Sequence, residues 1–234
     1  MILAIIEAGL ARRRPVEMLM APVAGQPMIW RLVQRARLAR TLTKVVVAVS
    51  LESADDALTG YLTERGVSVF RGASGDVLGG LTRCVRASGA GHAAFISADT
   101  PLVDPGLIDE AVRYALASRS DLVSNAAYPQ GLGVSVANDA AIMQVGAEAA
   151  AGRALSHPID LIAAQVHRFQ VARFRARRDW SALDWRADTP AGFVAAKRIF
   201  EALYAEDMAF RVEDVLSHIE DEATTAALPG AKVA

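Results

Sequence analysis

The sequence predicts an α/β fold, a mainly parallel, doubly wound sheet with helices on both faces. Three observations predict it. Short apolar, β-branched runs alternate with amphipathic stretches through the first half of the chain. The amphipathic stretches carry helix start and stop signals. Strand, helix, strand, helix in succession requires parallel pairing through right-handed crossovers, which cover both faces of the sheet. Ligands of such sheets bind outside the carboxyl ends of the strands, where the strand order reverses, so the residues that follow strands are the candidates for function.

In chain order, ILAII (2–6) reads as a buried strand and PMIWRLVQRARLAR (27–40) as a helix, with Ile29, Leu32, Val33, Ala36 and Leu38 near helical spacing. KVVVAVS (44–50) is a β-branched strand. DDALTGYLTERG (55–66) is a helix stopped by Gly66. VSVF (67–70) is a short strand, and DVLGGLTRCVRAS (76–88) a helix weakened by Gly79 and Gly80. HAAFISAD (92–99) is a strand ending on an acid. PGLIDEAVRYALAS (105–118) is a helix with Pro at its first position, and DLVSN (121–125) a further strand. GLGVSVA (131–137) reads as an edge strand, NDAAIMQVGAEAAA (138–151) as a helix capped by Asn138, and VHRFQVARF (166–174) as an alternating strand. Thr189 and Pro190 open a helix over 189–204, and a last short helix covers 211–222. Residues 1–220 form one domain, and the unpatterned end, 221–234, reads as a flexible tail.

Composition narrows the function. The 234 residues are 53% hydrophobic with a formal charge of -1, which argues against nucleic acid as the partner. A single cysteine, Cys84, precludes an internal disulfide, fits a cytoplasmic location and falls on a helix as a core residue. No run of about eighteen apolar residues predicts a membrane span, and the N-terminal apolar run is too short for a secretory signal. The four histidines lack metal-ligand spacing, and no nucleophile-elbow pattern occurs.

Three stretches could carry chemistry. The loop after the first strand, EAGLARRRPVEM (7–18), offers Gly9, Arg12, Arg13 and Arg14, but no Walker or G-x-G-x-x-G pattern. Its arginines are either phosphate ligands or a solvated face. In SADTPLVDP (97–105), Asp99 ends a buried strand, where it can hold Mg²⁺ or cap a turn. In DWRADTPAG (184–192), Asp188 stands before the Thr189-Pro190 helix start, as a cap or as a partner of Asp99 at one Mg²⁺.

These stretches, with others, resemble the spore-coat-polysaccharide type of cytidylyltransferase, a relative of the CMP-sialate and CMP-KDO synthetases. The resemblance runs from position 2 to about 219. GQPMIWRLVQRAR (25–37) is similar to the family's G-K-P-M-L helix, and VSVFRGASGDVL (67–78) to its V-F-R-G-S-x-x-D-V-L segment. SADTPLVDPGLID (97–109) is similar to A-D-C-P-L-I-D-P, the most specific match. QGLGVSVA (130–137) is similar to D-G-L-D-V-E-V, WRADTPAGF (185–193) to R-W-T-V-D-T-P-E-D-F, and AFRVEDVLSHI (209–219) to the family's end.

The resemblance implies a Rossmann-like, glycosyltransferase-A-type nucleotidyltransferase fold. It also implies Mg²⁺, CTP and a small sugar as ligands, a homodimer, and a role in surface polysaccharide or glycan biosynthesis. It places the metal on Asp99 and Asp188, the nucleotide on Glu7, Ala8, Gly9, Arg71 and Asp76, and the sugar on His157 and Gly131. It gives Arg14 the catalytic charge, and the neighbouring Arg12 and Arg13 are further candidates for it.

The chain departs from the family's Q-A-R-x-G-S-T-R-L-P-G-K loop. Only Ala8 and Arg14 are kept in register. The first arginine is Gly9, and the lysine that would face the phosphates is Met18, beside Glu17. The arginine after D-V-L is Gly80, the second aspartate of D-G-L-D is Gly133, and R-E-H reads Leu155-Ser156-His157. Two accounts follow. Arg12 and Arg13 restore the lost charge in an active transferase, or the protein is an inactive relative that binds a sugar nucleotide or a partner. A glycosyltransferase of the related fold would need a D-x-D metal motif, which Asp184 and Asp188 do not supply.

Overall fold

The computed structural model describes residues 1–11, 16–148, 155–205 and 207–227. The strands in chain order are β1 (Ile2–Glu7), β2 (Pro22–Val23), β3 (Gln26–Pro27), β4 (Lys44–Ser50), β5 (Ser68–Gly72), β6 (His92–Ser97), β7 (Leu122–Ala126), β8 (Ser135–Asn138) and β9 (Val171–Arg175). The helices are α1 (Val16–Met20), α2 (Met28–Ala36), α3 (Asp56–Glu64), α4 (Val77–Ser88), α5 (Pro105–Ser118), α6 (Asp139–Gly146), α7 (Pro158–Ala163), α8 (Pro190–Tyr204) and α9 (Val212–Ala227). Seven strands form one sheet in the order β5-β4-β1-β6-β8-β7-β9, and β2 and β3 form a separate hairpin.

β5, β4, β1 and β6 are parallel, as the alternating pattern requires. β8 is antiparallel to both of its neighbours, and β7 pairs parallel with β9. The connection from β7 to β8 explains the exception, because residues 127–134 are too few for a crossover helix. The chain leaves β1 toward β4 on one side and has β6 on the other, so the order reverses at β1. Glu7 of β1 is paired with Ser97 of β6 at that point.

The sheet separates two apolar layers. On β1, Ala4 and Ile6 join the layer beneath α2, α5 and α8, while Leu3 and Ile5 join the layer beneath α4, α6 and α7. This alternation is the period-two geometry of a strand buried on both faces. By the same alternation Glu7 faces the α4 and α7 side.

The first-half elements lie where the periodicity places them, except that the helix expected over 27–40 ends at Ala36, with residues 37–38 as a turn. α5 spans 105–118 with Asp104 accepting from Gly106 and Leu107 N–H at 2.7 and 3.2 Å. Asn138 caps α6, and Thr189 caps α8 by accepting from Gly192 N–H at 3.1 Å. The second half departs more. The strand expected over 131–137 is confined to Ser135–Asn138, and the strand expected over 166–174 begins only at Val171. Residues 166–169 are instead a turn in which Arg168 and Phe169 donate to the Gln165 carbonyl. α9 continues to Ala227 rather than stopping at 222, so the expected unpatterned tail starts as helix. The short elements α1, β2, β3 and α7 escape the sequence reading, because each is too brief to show a period. No helix among the described residues is long and apolar enough to cross a membrane.

Candidate active site

A cavity of about 370 Å³ opens at the carboxyl ends of β1 and β6. Its lining includes Glu7, Gly9, Ser97, Ser156, His157 and Asp160. Its position at the reversal of strand order is the one expected for a ligand site in this architecture.

Local packing sets the loop after β1. Ala8 N–H donates to the Ala48 carbonyl at 2.9 Å, extending the sheet pairing by one residue. A Cβ on Gly9 would lie 2.6 Å from Asp55 Oδ2 and 2.8 Å from Ser50 N. That carboxylate cannot yield, because Asp55 is buried and accepts from Ser50 N–H and Oγ–H at 2.7 and 2.6 Å. Gly9 is therefore required by close backbone approach rather than by turn geometry. Gly9→Ala is expected to destabilise the chain by roughly 1–3 kcal/mol through overpacking, measured by urea unfolding. Gly80→Ala should cost less, because its Cβ would meet only the flexible end of Leu10 at 3.0 Å.

Leu10 explains part of the departure from the family loop. It is 2% exposed and packs between Gly72 and Gly80, whose Cβ positions would fall 2.8 and 3.0 Å from its methyl groups. Its carbonyl accepts from Gly75 N–H at 3.0 Å. An apolar plug thus lies against position 80, where the family pattern has an arginine. Met18 is half-buried on α1, and Glu17 beside it is exposed. Arg12, Arg13 and Arg14 lie outside the described residues.

Glu7 and His157 meet across the cavity although 149 residues of chain lie between them. His157 Nε2 is 3.1 Å from Glu7 Oε2, at ion-pair distance without the alignment of a hydrogen bond. The opposite ring nitrogen, Nδ1, accepts from Ile159 N–H at 3.1 Å and so caps α7. That bond assigns the proton of neutral imidazole to Nε2, facing the carboxylate. Phe95 packs edge-on against the ring, with centroids 5.0 Å apart. His157 is thereby an oriented group, and Glu7 is the acceptor presented to the cavity. Asp160 and Ser97 complete the polar lining and carry no sequence signal of their own.

Neither of the two aspartates is in the lining of this cavity, although Asp99 follows the cavity-lining Ser97 by two residues. Asp99 is 4% exposed and follows β6. Its carbonyl accepts from Ala187 N–H at 2.8 Å, which ties the loop after β6 to the residue before Asp188. Asp188 is exposed, with Oδ2 3.3 Å from Arg186 Nη1. Arg186 is gripped by Asp184, to which its Nε and Nη2 donate at 2.9 and 2.6 Å. That fork lowers the Asp184 carboxyl below its ordinary range and raises the guanidinium above its own. Among the described residues no group of three or more His, Cys, Asp or Glu is placed to hold a metal ion. Two carboxylates nevertheless suit Mg²⁺, which commonly takes one or two from the protein and the remaining oxygens from substrate phosphates and water.

The other expected nucleotide and sugar residues are engaged locally. Arg71 donates to the Ser50 and Glu52 carbonyls at 3.0 and 3.1 Å and pairs with Asp56 at 2.8 Å. Asp76 caps α4 through Gly79 N–H and pairs with Arg83 at 2.7 Å. Gly131, at φ +93°, lies against the Trp185–Arg186 backbone. None of these three is in the cavity lining given by the described residues. Cys84 is buried, and desolvation pushes its thiol up to about 12, consistent with a core role.

A mainly parallel sheet with a cavity at the strand-order reversal is the architecture of a nucleotide-binding α/β protein, and the family match gives the nucleotidyltransferase class. The chain belongs to the MobA-like NTP transferase domain family, whose model matches residues 3–206. It is 28% identical over 141 residues to the spore coat polysaccharide biosynthesis protein SpsF of Bacillus subtilis, covering 58% of this chain and 59% of that protein. Its matches to curated relatives span between half and six-tenths of their lengths, 51% and 59%. Among solved structures it is similar to a cytidylyltransferase from Leptospira borgpetersenii, with TM-score 0.83 and 16% identity over 100% of this chain and 98% of that one. It also shares the fold of a CMP-KDO synthetase solved with CTP, with TM-score 0.64 and 14% identity over 88% of this chain and 99% of that one. The Rossmann-like, glycosyltransferase-A-type nucleotidyltransferase fold that the sequence motifs imply is the fold found, and the family shown is the broader MobA-like NTP transferase family.

Proposed function

We propose that this chain is a cytoplasmic, Mg²⁺-dependent sugar nucleotidyltransferase of the cytidylyltransferase kind, activating a sugar for surface polysaccharide or glycan assembly. One observation carries the reading. The hydrogen bond from Ala187 N–H to the Asp99 carbonyl draws two acidic loops, distant in sequence, to the edge of the sheet where the cavity opens. CTP is the first triphosphate to test, since a structural neighbour binds it.

Asp99 and Asp188 would hold the metal, which when bound neutralises triphosphate charge and orients it for in-line displacement. The remaining work falls to the chain. Glu7, oriented against His157, accepts a hydrogen bond from a sugar hydroxyl in the cavity. Ser97, Ser156 and Asp160 supply further partners for a polyhydroxylated ligand. Arg12, Arg13 and Arg14, directly after the cavity-lining Ala11, supply the positive charge that Met18 does not.

A second reading, a non-catalytic relative that binds a sugar nucleotide or a partner, is favoured by the Leu10 plug against Gly80. Thermal unfolding with CTP, UTP, ATP and GTP, each with and without Mg²⁺, separates the two. A triphosphate present at about 100 times its Kd adds about 2.7 kcal/mol. For a chain of this size that is a rise of about 5–10 °C. The transferase reading expects that rise for one triphosphate, only with Mg²⁺. No rise with any triphosphate at millimolar concentration would leave the non-catalytic reading.

A further inference from the structure

Arg186 stands at the aspartate pair as a cation already in place. Its fork on Asp184 uses Nε and Nη2, and Asp184 also accepts from the Arg186 backbone N–H at 3.1 Å. This leaves Nη1 turned to Asp188 Oδ2 at 3.3 Å.

The placement is held from several sides. Gln130 N–H donates to the Leu183 carbonyl at 2.8 Å, and Trp185 N–H donates to the Gln130 carbonyl at 2.9 Å, clamping the 183–186 segment. Gly131 passes so close that a Cβ there would lie 3.1 Å from Arg186 N and 3.2 Å from its Cγ. A side chain at position 131 would displace the arginine from its seat. The guanidinium is also only partly covered, with the side chain 38% exposed, so one edge is open to a ligand.

We infer that Arg186 competes with the divalent ion for Asp188, so that metal binds weakly to the free protein and tightly only together with a polyphosphate. The reason is electrostatic, and it rests on the reading of Asp99 and Asp188 as metal ligands. Two cations sharing one carboxylate repel each other, because they would stand well inside the screening length of about 8 Å. A polyphosphate brings enough negative charge to satisfy both, with the guanidinium free to take phosphate oxygens in a fork. Order of loading would then be built into the site, with nucleotide and metal entering together.

The test is Mn²⁺ binding to the full chain, followed by the electron spin resonance of free Mn²⁺, in the wild type, Arg186→Gln, Arg186→Lys and the double variant Arg186→Gln/Asp188→Asn. Arg186→Gln is expected to tighten binding of Mn²⁺ alone by about tenfold or more, the scale of removing one nearby like charge. The double variant should lose that gain. Arg186→Lys should remain near the wild type, because it keeps the charge while losing the fork. Unchanged or weaker Mn²⁺ binding in Arg186→Gln would overturn the inference, as would lysine behaving like glutamine. The metal-site reading is checked apart from this, by the thermal shift with CTP and Mn²⁺ together. If Asp188→Asn abolishes that shift while Arg186→Gln leaves the affinity for Mn²⁺ alone unchanged, the aspartates hold metal and only the competition is refuted. If the wild type shows no such shift and no variant binds Mn²⁺, both fail.

Discussion

Arg35→Met is expected to destabilise the protein by about 3–5 kcal/mol, the largest effect of any single change outside the site. Arg35 on α2 is fully buried and donates to three carbonyls. Its Nε donates to Val103 at 2.9 Å, and its Nη1 and Nη2 donate to Met208 and Phe210 at 2.5 and 2.7 Å. The guanidinium carbon also lies 3.5 Å from the Phe210 ring centroid. Burial pulls the guanidinium down to about 10, opposed by the charges of Asp104, Asp207 and Asp214, so the group stays charged at neutral pH. Methionine can fill much of the volume but leaves all three carbonyls without this donor, each costing about 1–3 kcal/mol when buried. Equilibrium urea unfolding measures the loss. A change below about 1 kcal/mol would mean that the segment from Met208 to Phe210 is held by other contacts. Because Val103 follows Asp99 closely, the loop carrying the aspartate should loosen as well.

Asp99→Asn is expected to abolish the Mg²⁺-dependent rise in melting temperature with the preferred triphosphate, while leaving the melting temperature of the free protein nearly unchanged. The asparagine keeps the size of the side chain, and the tie to Ala187 runs through the backbone carbonyl, which the substitution does not touch. What is lost is the negative charge that a hard cation requires. The transfer reaction should fall by at least about 10², since stabilising charge in a water-poor site is worth several kcal/mol. Calorimetry with the nucleotide, with and without Mg²⁺, separates a lost metal effect from lost nucleotide binding. Equal metal-dependent binding in wild type and Asp99→Asn would remove Asp99 from the site.

The fold was largely legible in the sequence. β1, β4 and β6 are dense in β-branched and apolar residues because both of their faces are covered, and helices such as α5 and α8 declare their starts with Asp104-Pro105 and Thr189-Pro190. The second half was less legible. β8 is only four residues long, and α7 begins at a histidine cap that no propensity scale singles out.

The site was legible by residue and illegible by arrangement. Gly9 could be seen as a departure from the family loop, but the reason for it, the Asp55 carboxylate held against β4, comes from a neighbouring strand. Gly80 could likewise be seen as a lost arginine, while Leu10 filling the space beside it could not. Arg71 and Asp76 carried the right letters, and their side chains are taken up by β4 and α4. Arg186 drew no notice in the sequence, because its importance lies in the fork on Asp184 and the approach to Asp188.

By itself the sequence determined the sheet and the nucleotidyltransferase family, because apolar periodicity and short ordered motifs are local. Only the tertiary structure decided that Glu7 meets His157, that Leu10 seats against two glycines, and that a guanidinium already stands beside Asp188. The first two contacts join segments far apart in the chain, while the third joins residues two apart whose segment is held by Gln130 and Gly131 from another loop, so their geometry follows from how strands and loops pack.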